Sequence, residues 1–169
     1  MPTSAADPRP LSMHPINLRA FCAADLEAVA QLFTASVHRL TKGAYSAAQR
    51  AAWAPEPPDL AQWHTRLAGL STLLAEQDGV LLGFIAYETN GHIDLLFSAV
   101  HAVRQGVASR LYQEVENRLV AAGVAEIVTE ASLIAQPFFV HHGSNACDDD
   151  ASYRCSLSLV VMAWVLYAQ

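Results

Sequence analysis

The sequence predicts an α/β domain in which a mixed central sheet of six or seven strands is flanked by four or five helices. Three observations predict it. Apolar residues recur three and four apart over residues 24–40 and 107–122, the spacing of amphipathic helices. Asp78-Gly79 and Asn90-Gly91 separate short apolar runs, which is the strongest short-range hairpin signal. A helical stretch joins the run at His92 to the run at Val124, so those two strands are expected to be parallel.

In chain order, Ile16 to Phe21 predicts the first strand. The helix over 24–40 carries Leu26, Val29, Ala30, Phe33, Val37 and Leu40 on one face, with Asp25 and Glu27 near its positive end. Ser46 suits the N-cap of a short helix that Pro55 stops. A third helix is expected over 60–70, with Leu60, Trp63, Leu67 and Leu70 on one side and Trp63 in the core. Residues 72–77, 80–87 and the run from His92 form an antiparallel meander. Gly123 caps the helix over 107–122. Residues 124–131 predict a strand, 135–142 a short helix ended by Gly143, and 145–152 a polar loop. The last strand, 153–166, has blurred alternation and is either buried on both faces or a homodimer edge. Residues 1–15 read as a flexible tail, with Met13 a candidate start, and 16–169 as one domain.

Composition narrows the class. At 53% hydrophobic and 15% charged residues, the 169-residue chain is globular. A net charge of −6 argues against a nucleic-acid surface. Cys22, Cys147 and Cys155 form no C-x-x-C pair and read as reduced thiols of a cytoplasmic protein. The most apolar run, 157–168, is too short to span a membrane. His141, His142, Cys147 and Asp148 to Asp150 mix soft and hard donors and read as a solvated loop, so no metal is expected.

The chemistry-bearing stretch is His92 to Ala122, where an apolar strand runs through Val103, Arg104, Gln105 and Gly106 into a helix with Val107, Leu111, Val115 and Leu119 four apart. A helix start offers unpaired N–H groups and the positive end of the dipole. Such a turn suits a phosphate or pyrophosphate. Gly106 allows close approach, and Arg104 adds a fixed charge. The pattern is neither a P-loop nor a dinucleotide fingerprint, because the lysine of one and the spaced glycines of the other are absent.

The element order and the stretches HIDLLFSAVHAVRQGVASRLY, TEASLIAQPFFVHHG and YSAAQRAAW resemble the GNAT superfamily of acyl-CoA-dependent N-acyltransferases over roughly residues 16–167. Gly106 and Ala108 match the family's Gln/Arg-x-x-Gly-x-Gly/Ala motif, and Val103 stands where Gln or Arg is commonest. The resemblance implies that backbone groups of Leu96, Phe97 and Ser98 pair with the pantetheine arm of acetyl-CoA like an added strand. It implies that the amides of Arg104, Gln105, Gly106, Val107, Ala108 and Ser109 cradle the pyrophosphate. Ser132 falls where an Asn often bonds the cofactor. Phe139 falls where many members carry a Tyr that protonates the leaving thiolate, and Ser144 replaces a common aromatic.

The implied reaction is direct acetyl transfer to a primary amine of a small molecule or protein, within a ternary complex. A lysine-like amine has a pKa near 10.4 and must lose a proton first. An acid inside an apolar strand is costly without a role or partners, so Asp94 is the candidate general base, with His92 the weaker one. The Ser98 N–H is the candidate oxyanion donor, and Tyr112 or a water could replace the missing Tyr as acid. Tyr45 and Trp53 are candidate acceptor-pocket walls. The competing reading is a non-catalytic acyl-CoA-binding module, which Phe139 favours and Asp94 disfavours.

Overall fold

Charge locks the first strand, β1 (Asn17–Ala20), to the 3-10 turn Ala23–Asp25 that follows it. Arg19 donates to both oxygens of Asp25 at 2.7 Å and to Glu76 at 2.6 Å, while the Cys22 N–H donates to Asp25 at 2.8 Å. These bonds favour the charged carboxylate, and hold the Asp25 acid well below the usual range. A carboxyl depressed on folding adds stability above its unfolded value of about 3.9 and loses it as pH falls below that. We therefore expect urea midpoints to drop on acidification below about pH 4, and Asp25→Asn to flatten that drop. An unchanged acid limb in the variant would reject the assignment.

The computed structural model describes residues 14–130, 132, 134–142, 145–146 and 152–156. Most of the tail over 1–15, Met13, Gly143, Ser144, Cys147, the aspartates at 148–150 and the end of the last strand lie outside them.

Helix α1 (Leu26–Leu40) buries Val29, Ala30, Phe33 and Val37, the face its spacing predicts. Helix α2 (Ala47–Trp53) starts in a capping box, in which Ser46 Oγ accepts from the Gln49 N–H and Gln49 Oε1 accepts from the Ser46 N–H. It ends at Trp53, before Pro55. Helix α3 (Leu60–Leu67) is capped by Asp59, which accepts from the Ala61 and Gln62 amides. It stops short of the expected residue 70, because Ala68 and Gly69 lead straight into the next strand.

Strands β2 (Ser71–Gln77), β3 (Val80–Tyr87) and β4 (Ile93–Ser98) form the expected meander, and β1 adds antiparallel to β2. Leu74, Ala75, Phe84, Ile85 and Ala86 are wholly buried, since helices cover both faces of this sheet. On one face Phe33 meets Trp63 and Phe97 edge-on, at 4.9 and 4.7 Å between centroids. On the other lies α4 (Val107–Ala121), with Val107, Leu111, Val115 and Leu119 buried at their interval of four.

The mixed α/β architecture is as expected, with its strands divided between two sheets. Strand β5 (Glu126–Glu130), helix α5 (Gln136–His141) and strands β6 (Asn145–Ala146) and β7 (Ser152–Ser156) follow, the second sheet running in the order β5-β7-β6. Asn145 and Ala146, expected in a loop, instead pair with β7, an outcome set by a strand that follows them in sequence. The expected parallel pairing of the His92 and Val124 runs is confined to one bridge, His92 to Val128, with the Val128 N–H donating to the Gly91 carbonyl at 2.9 Å. Beyond that bridge β4 is the edge of its sheet, and a cleft opens between it and the β5–α5 segment.

Candidate active site

The cleft is built by three elements. Edge strand β4 supplies one wall, the turn into α4 the floor, and α5 with the residues before it the other wall. Its larger chamber encloses about 460 Å³ between Leu96, Ser98, Arg104, Gly106, Ala108, Ser109, Phe138 and Phe139. A smaller chamber of about 130 Å³ adjoins it, sharing Leu96 and Ser98 and adding Phe97, Ser132 and Trp53.

At the turn the backbone adopts positive φ twice, +62° at Arg104 and +79° at Gly106. Left-handed residues interleaved in a turn aim successive amides into one concavity, the geometry of an anion nest. The first bond of α4 runs from the Arg110 N–H to the Gly106 carbonyl at 2.9 Å. The amides of Val107, Ala108 and Ser109 precede that bond, so the helix start leaves them available. Gln105 behaves differently. Its side chain donates to the His101 carbonyl at 2.8 Å, and it is the one expected pyrophosphate residue off both chamber walls.

The edge of β4 presents its backbone to the cleft. Ser36 Oγ–H donates to the Ser98 carbonyl at 2.7 Å, so that carbonyl faces away from β3. In an antiparallel strand the N–H of a residue points to the same side as its own carbonyl. The Ser98 N–H therefore lies on the open side, where an oxyanion donor is required. Ser36, on α1, was not legible in the sequence, since its partner is 62 residues away.

Asp94 sits at a β-bulge. Pairing jumps from Leu95–Ala86 to Ile93–Tyr87, and Asp94 is the extra residue. Its carboxylate accepts from Arg66 Nε at 2.9 Å and keeps 18% side-chain exposure. This ion pair answers how the strand tolerates an acid. His92, the weaker base candidate, lies between Glu130 at 3.4 Å and Glu88 at 3.7 Å, beside the bridge between the sheets.

Ser132 is buried and caps the turn into α5, its Oγ accepting from the Ala135 N–H at 3.3 Å. Phe139 is buried on the cleft wall and brings no hydroxyl. Tyr112 does not replace one there. It is buried on α4, off the walls of both chambers, and donates to Glu116 at 2.7 Å. His142 packs on Phe138, and its Nε2 lies 3.1 Å from Ser109 Oγ. Burial pushes the His142 imidazole below its ordinary value, His141 beside it acts in the same direction, and Glu116 opposes them.

Of the two candidate pocket walls, Trp53 lines the smaller chamber. Tyr45 lines neither chamber and supports Trp53 edge-on at 5.5 Å. Trp63 is buried with Phe33 and Phe84, as its helix face predicts. Among the described residues no cluster of ligands could hold a metal ion, and no helix is long and apolar enough to cross a membrane.

A family model described as an acetyltransferase (GNAT) domain matches residues 41–166. The uncharacterized N-acetyltransferase YafP of Escherichia coli (strain K12) is 29% identical over 131 residues, covering 78% of this chain and 82% of the relative. The crystal structure of a GCN5-related N-acetyltransferase from Rhodopseudomonas palustris superposes with a TM-score of 0.80 at 29% identity, covering 86% of this chain and 98% of that one. PaiA N-acetyltransferase from Thermoplasma acidophilum, solved in complex with coenzyme A, superposes with a TM-score of 0.73 at 18% identity, covering 85% and 99%. A GNAT family acetyltransferase from Brucella melitensis, in complex with acetyl-CoA, has the same fold at a TM-score of 0.59 and 19% identity, covering 85% and 88%. The family model spans most of the chain, and the cleft lies where an open sheet edge meets an amide-lined turn; the chain belongs to the GNAT acetyltransferase family.

Proposed function

We propose that this acetyltransferase binds acetyl-CoA in the cleft and moves its acetyl group to a primary amine by direct attack. The observation that carries the reading is the cleft itself, an open β4 edge leading to an amide-lined turn of positive φ. The pantetheine arm lies along the open edge of β4 like an added strand and pairs with backbone groups of Leu96 and Ser98, while the Phe97 backbone faces β3. The pyrophosphate sits on the amides of the Arg104–Ser109 turn, with the Arg104 guanidinium beside it. Relatives solved with coenzyme A and acetyl-CoA support this choice of donor. Cytosolic placement fits the sequence's cysteine use.

The acceptor nitrogen loses a proton to Asp94, directly or through one water, and attacks the thioester carbonyl carbon. The carbonyl oxygen takes the charge and is held by the Ser98 N–H. The C–S bond then breaks and releases the thiolate of coenzyme A. A thiol of pKa about 8.5 leaves as thiolate without a strong acid, so Phe139 is compatible with turnover.

Asp94→Asn tests the base. We expect kcat to fall about 10²- to 10³-fold with acetyl-CoA affinity unchanged. Arg66→Gln breaks the same ion pair and leaves the carboxylate, so it should retain far more activity. Equal losses in the two variants would make Asp94 structural. Phe139 favours the second reading, a module that binds acyl-CoA without transfer. Steady turnover of acetyl-CoA with any amine would remove it.

A further inference from the structure

One side-chain bond ties the two sides of the cleft together. Ser109, the third residue of α4, lines the larger chamber beside Gly106, Val107 and Ala108. His142, at the C-cap of α5, meets it from the other wall, 33 residues further along the chain, with Nε2 3.1 Å from Oγ. His142 itself lines neither chamber, so it acts on a ligand through Ser109. Among the described residues, the wall of the larger chamber carries a single charged side chain, that of Arg104. A pyrophosphate bears a negative charge on each phosphate, so the turn alone supplies one cation for a pair of anions.

The bond can run in either direction. A hydroxyl has one proton to give, and a neutral imidazole donates from only one of its nitrogens. With Nε2 bare, Ser109 donates to the ring and spends its proton there. With both nitrogens protonated, Nε2–H donates to Oγ and frees the hydroxyl proton for an acceptor in the chamber. Charge on the ring and a donor for a phosphate therefore come together. The surroundings hold the ring between these states. It packs on Phe138 at 4.5 Å and Tyr112 at 5.3 Å between centroids. Burial there and His141 on its own helix oppose the charged form, while Glu116 on α4, which accepts from the Tyr112 hydroxyl, favours it. Phosphates arriving at the turn add negative charge on the Ser109 side and tip that balance toward the cation.

We propose that His142 is the second cation of the pyrophosphate cradle: it takes up a proton from solvent as acetyl-CoA binds, and through Nε2–H it turns the Ser109 hydroxyl onto a phosphate oxygen. It is a positioning residue, since Ser109 makes the contact. This rests on the acetyl-CoA reading and adds to it a residue and a pH dependence. The factor by which the ligand raises the ring's proton affinity is the factor by which the proton raises ligand affinity. Donor affinity therefore climbs as pH falls through the range of the liganded imidazole. It levels off once the unliganded imidazole is charged as well, below the ordinary value near 6.5.

The test is calorimetry with 3′-dephospho-coenzyme A, which keeps the pyrophosphate and lacks the 3′-phosphate, a group that itself titrates at about pH 6. Measured in buffers of different ionisation heat, it reads the protons taken up per ligand bound. The parent should take up most of one proton near pH 6.5 and bind about tenfold tighter at pH 5.5 than at pH 7.5. His142→Gln keeps an N–H for Ser109 and cannot titrate. It should bind within about threefold of the parent at pH 7.5, with the proton uptake and the gain at low pH both gone. Ser109→Ala removes the bridge and should flatten the gain likewise. His101→Gln, in the 3-10 turn Val100–Ala102 that precedes Arg104, should keep the whole gain. No proton uptake by the parent, a full gain in His142→Gln or Ser109→Ala, or its loss in His101→Gln overturns the proposal and leaves the cofactor reading standing. No binding at any pH overturns both.

Discussion

Gly106→Glu is expected to weaken acetyl-CoA binding by at least about a hundredfold, roughly 2.7 kcal/mol. The substitution is sterically permitted, because a Cβ at Gly106 would meet no atom within 4 Å. Its backbone cost is the left-handed φ of +79°, about 1 kcal/mol for a residue with a side chain. The larger effect is electrostatic. The new carboxylate would stand among the amides proposed to receive the pyrophosphate, and two like charges about 4 Å apart repel by about 4 kcal/mol near a protein surface. Gly106→Asn separates the causes, since Asn tolerates the left-handed region and carries no charge. Calorimetry should find binding only mildly weakened in the Asn variant and at least about a hundredfold weaker in the Glu variant. Equal affinities for the two variants would move the pyrophosphate away from this turn.

The second large effect is on stability. Gly91→Ala is expected to destabilise the domain by about 3 kcal/mol or more, read from urea midpoints. The Cβ would lie 2.2 Å from the Glu126 carbonyl oxygen and 2.9 Å from Val124 Cγ1, at a φ of +106°. Relief requires parting β4 from β5 at their one bridge, where the Gly91 carbonyl accepts from the Val128 N–H. Gly106→Ala is the internal control, because its φ is also left-handed but its surroundings are open, and it should cost about 1 kcal/mol. If the two alanine variants unfold alike, the close approach at Gly91 contributes nothing.

These two glycines also mark how far the sequence could be read. The left-handed turn at Gly106 was legible because it is local. A strand, a turn and a helix in continuous sequence form the proposed anion site, and the Ser46 capping box and the meander set by Asp78-Gly79 and Asn90-Gly91 are equally local. Gly91 was legible only as half of a turn. Its contact with Glu126 depends on how two sheets meet, and no spacing in the sequence encodes that. Asp94 shows the same limit. Its chemistry stood out against an apolar run, while its partner Arg66 lies 28 residues away on α3. Gln105 shows another limit: its residue type suits a phosphate turn, while the partner of its side chain, the His101 carbonyl one turn before it, was not legible.

The open side of β4 has a consequence for the life of the molecule before any reaction. A strand with unpaired amides is a template for any other extended chain, and most proteins keep such strands short, charged or covered. Here the exposed template lies inside the domain and is apolar, and the ligand proposed for it is a metabolite. A donor that binds only the folded state stabilises it by mass action as well as serving as a reactant. At a concentration a hundred times its dissociation constant it adds about 2.7 kcal/mol to the folded state, a sizeable share of a small domain's stability. Cells starved of the donor should therefore lose this protein to aggregation and proteolysis, so that its abundance follows the metabolic supply on which its activity depends.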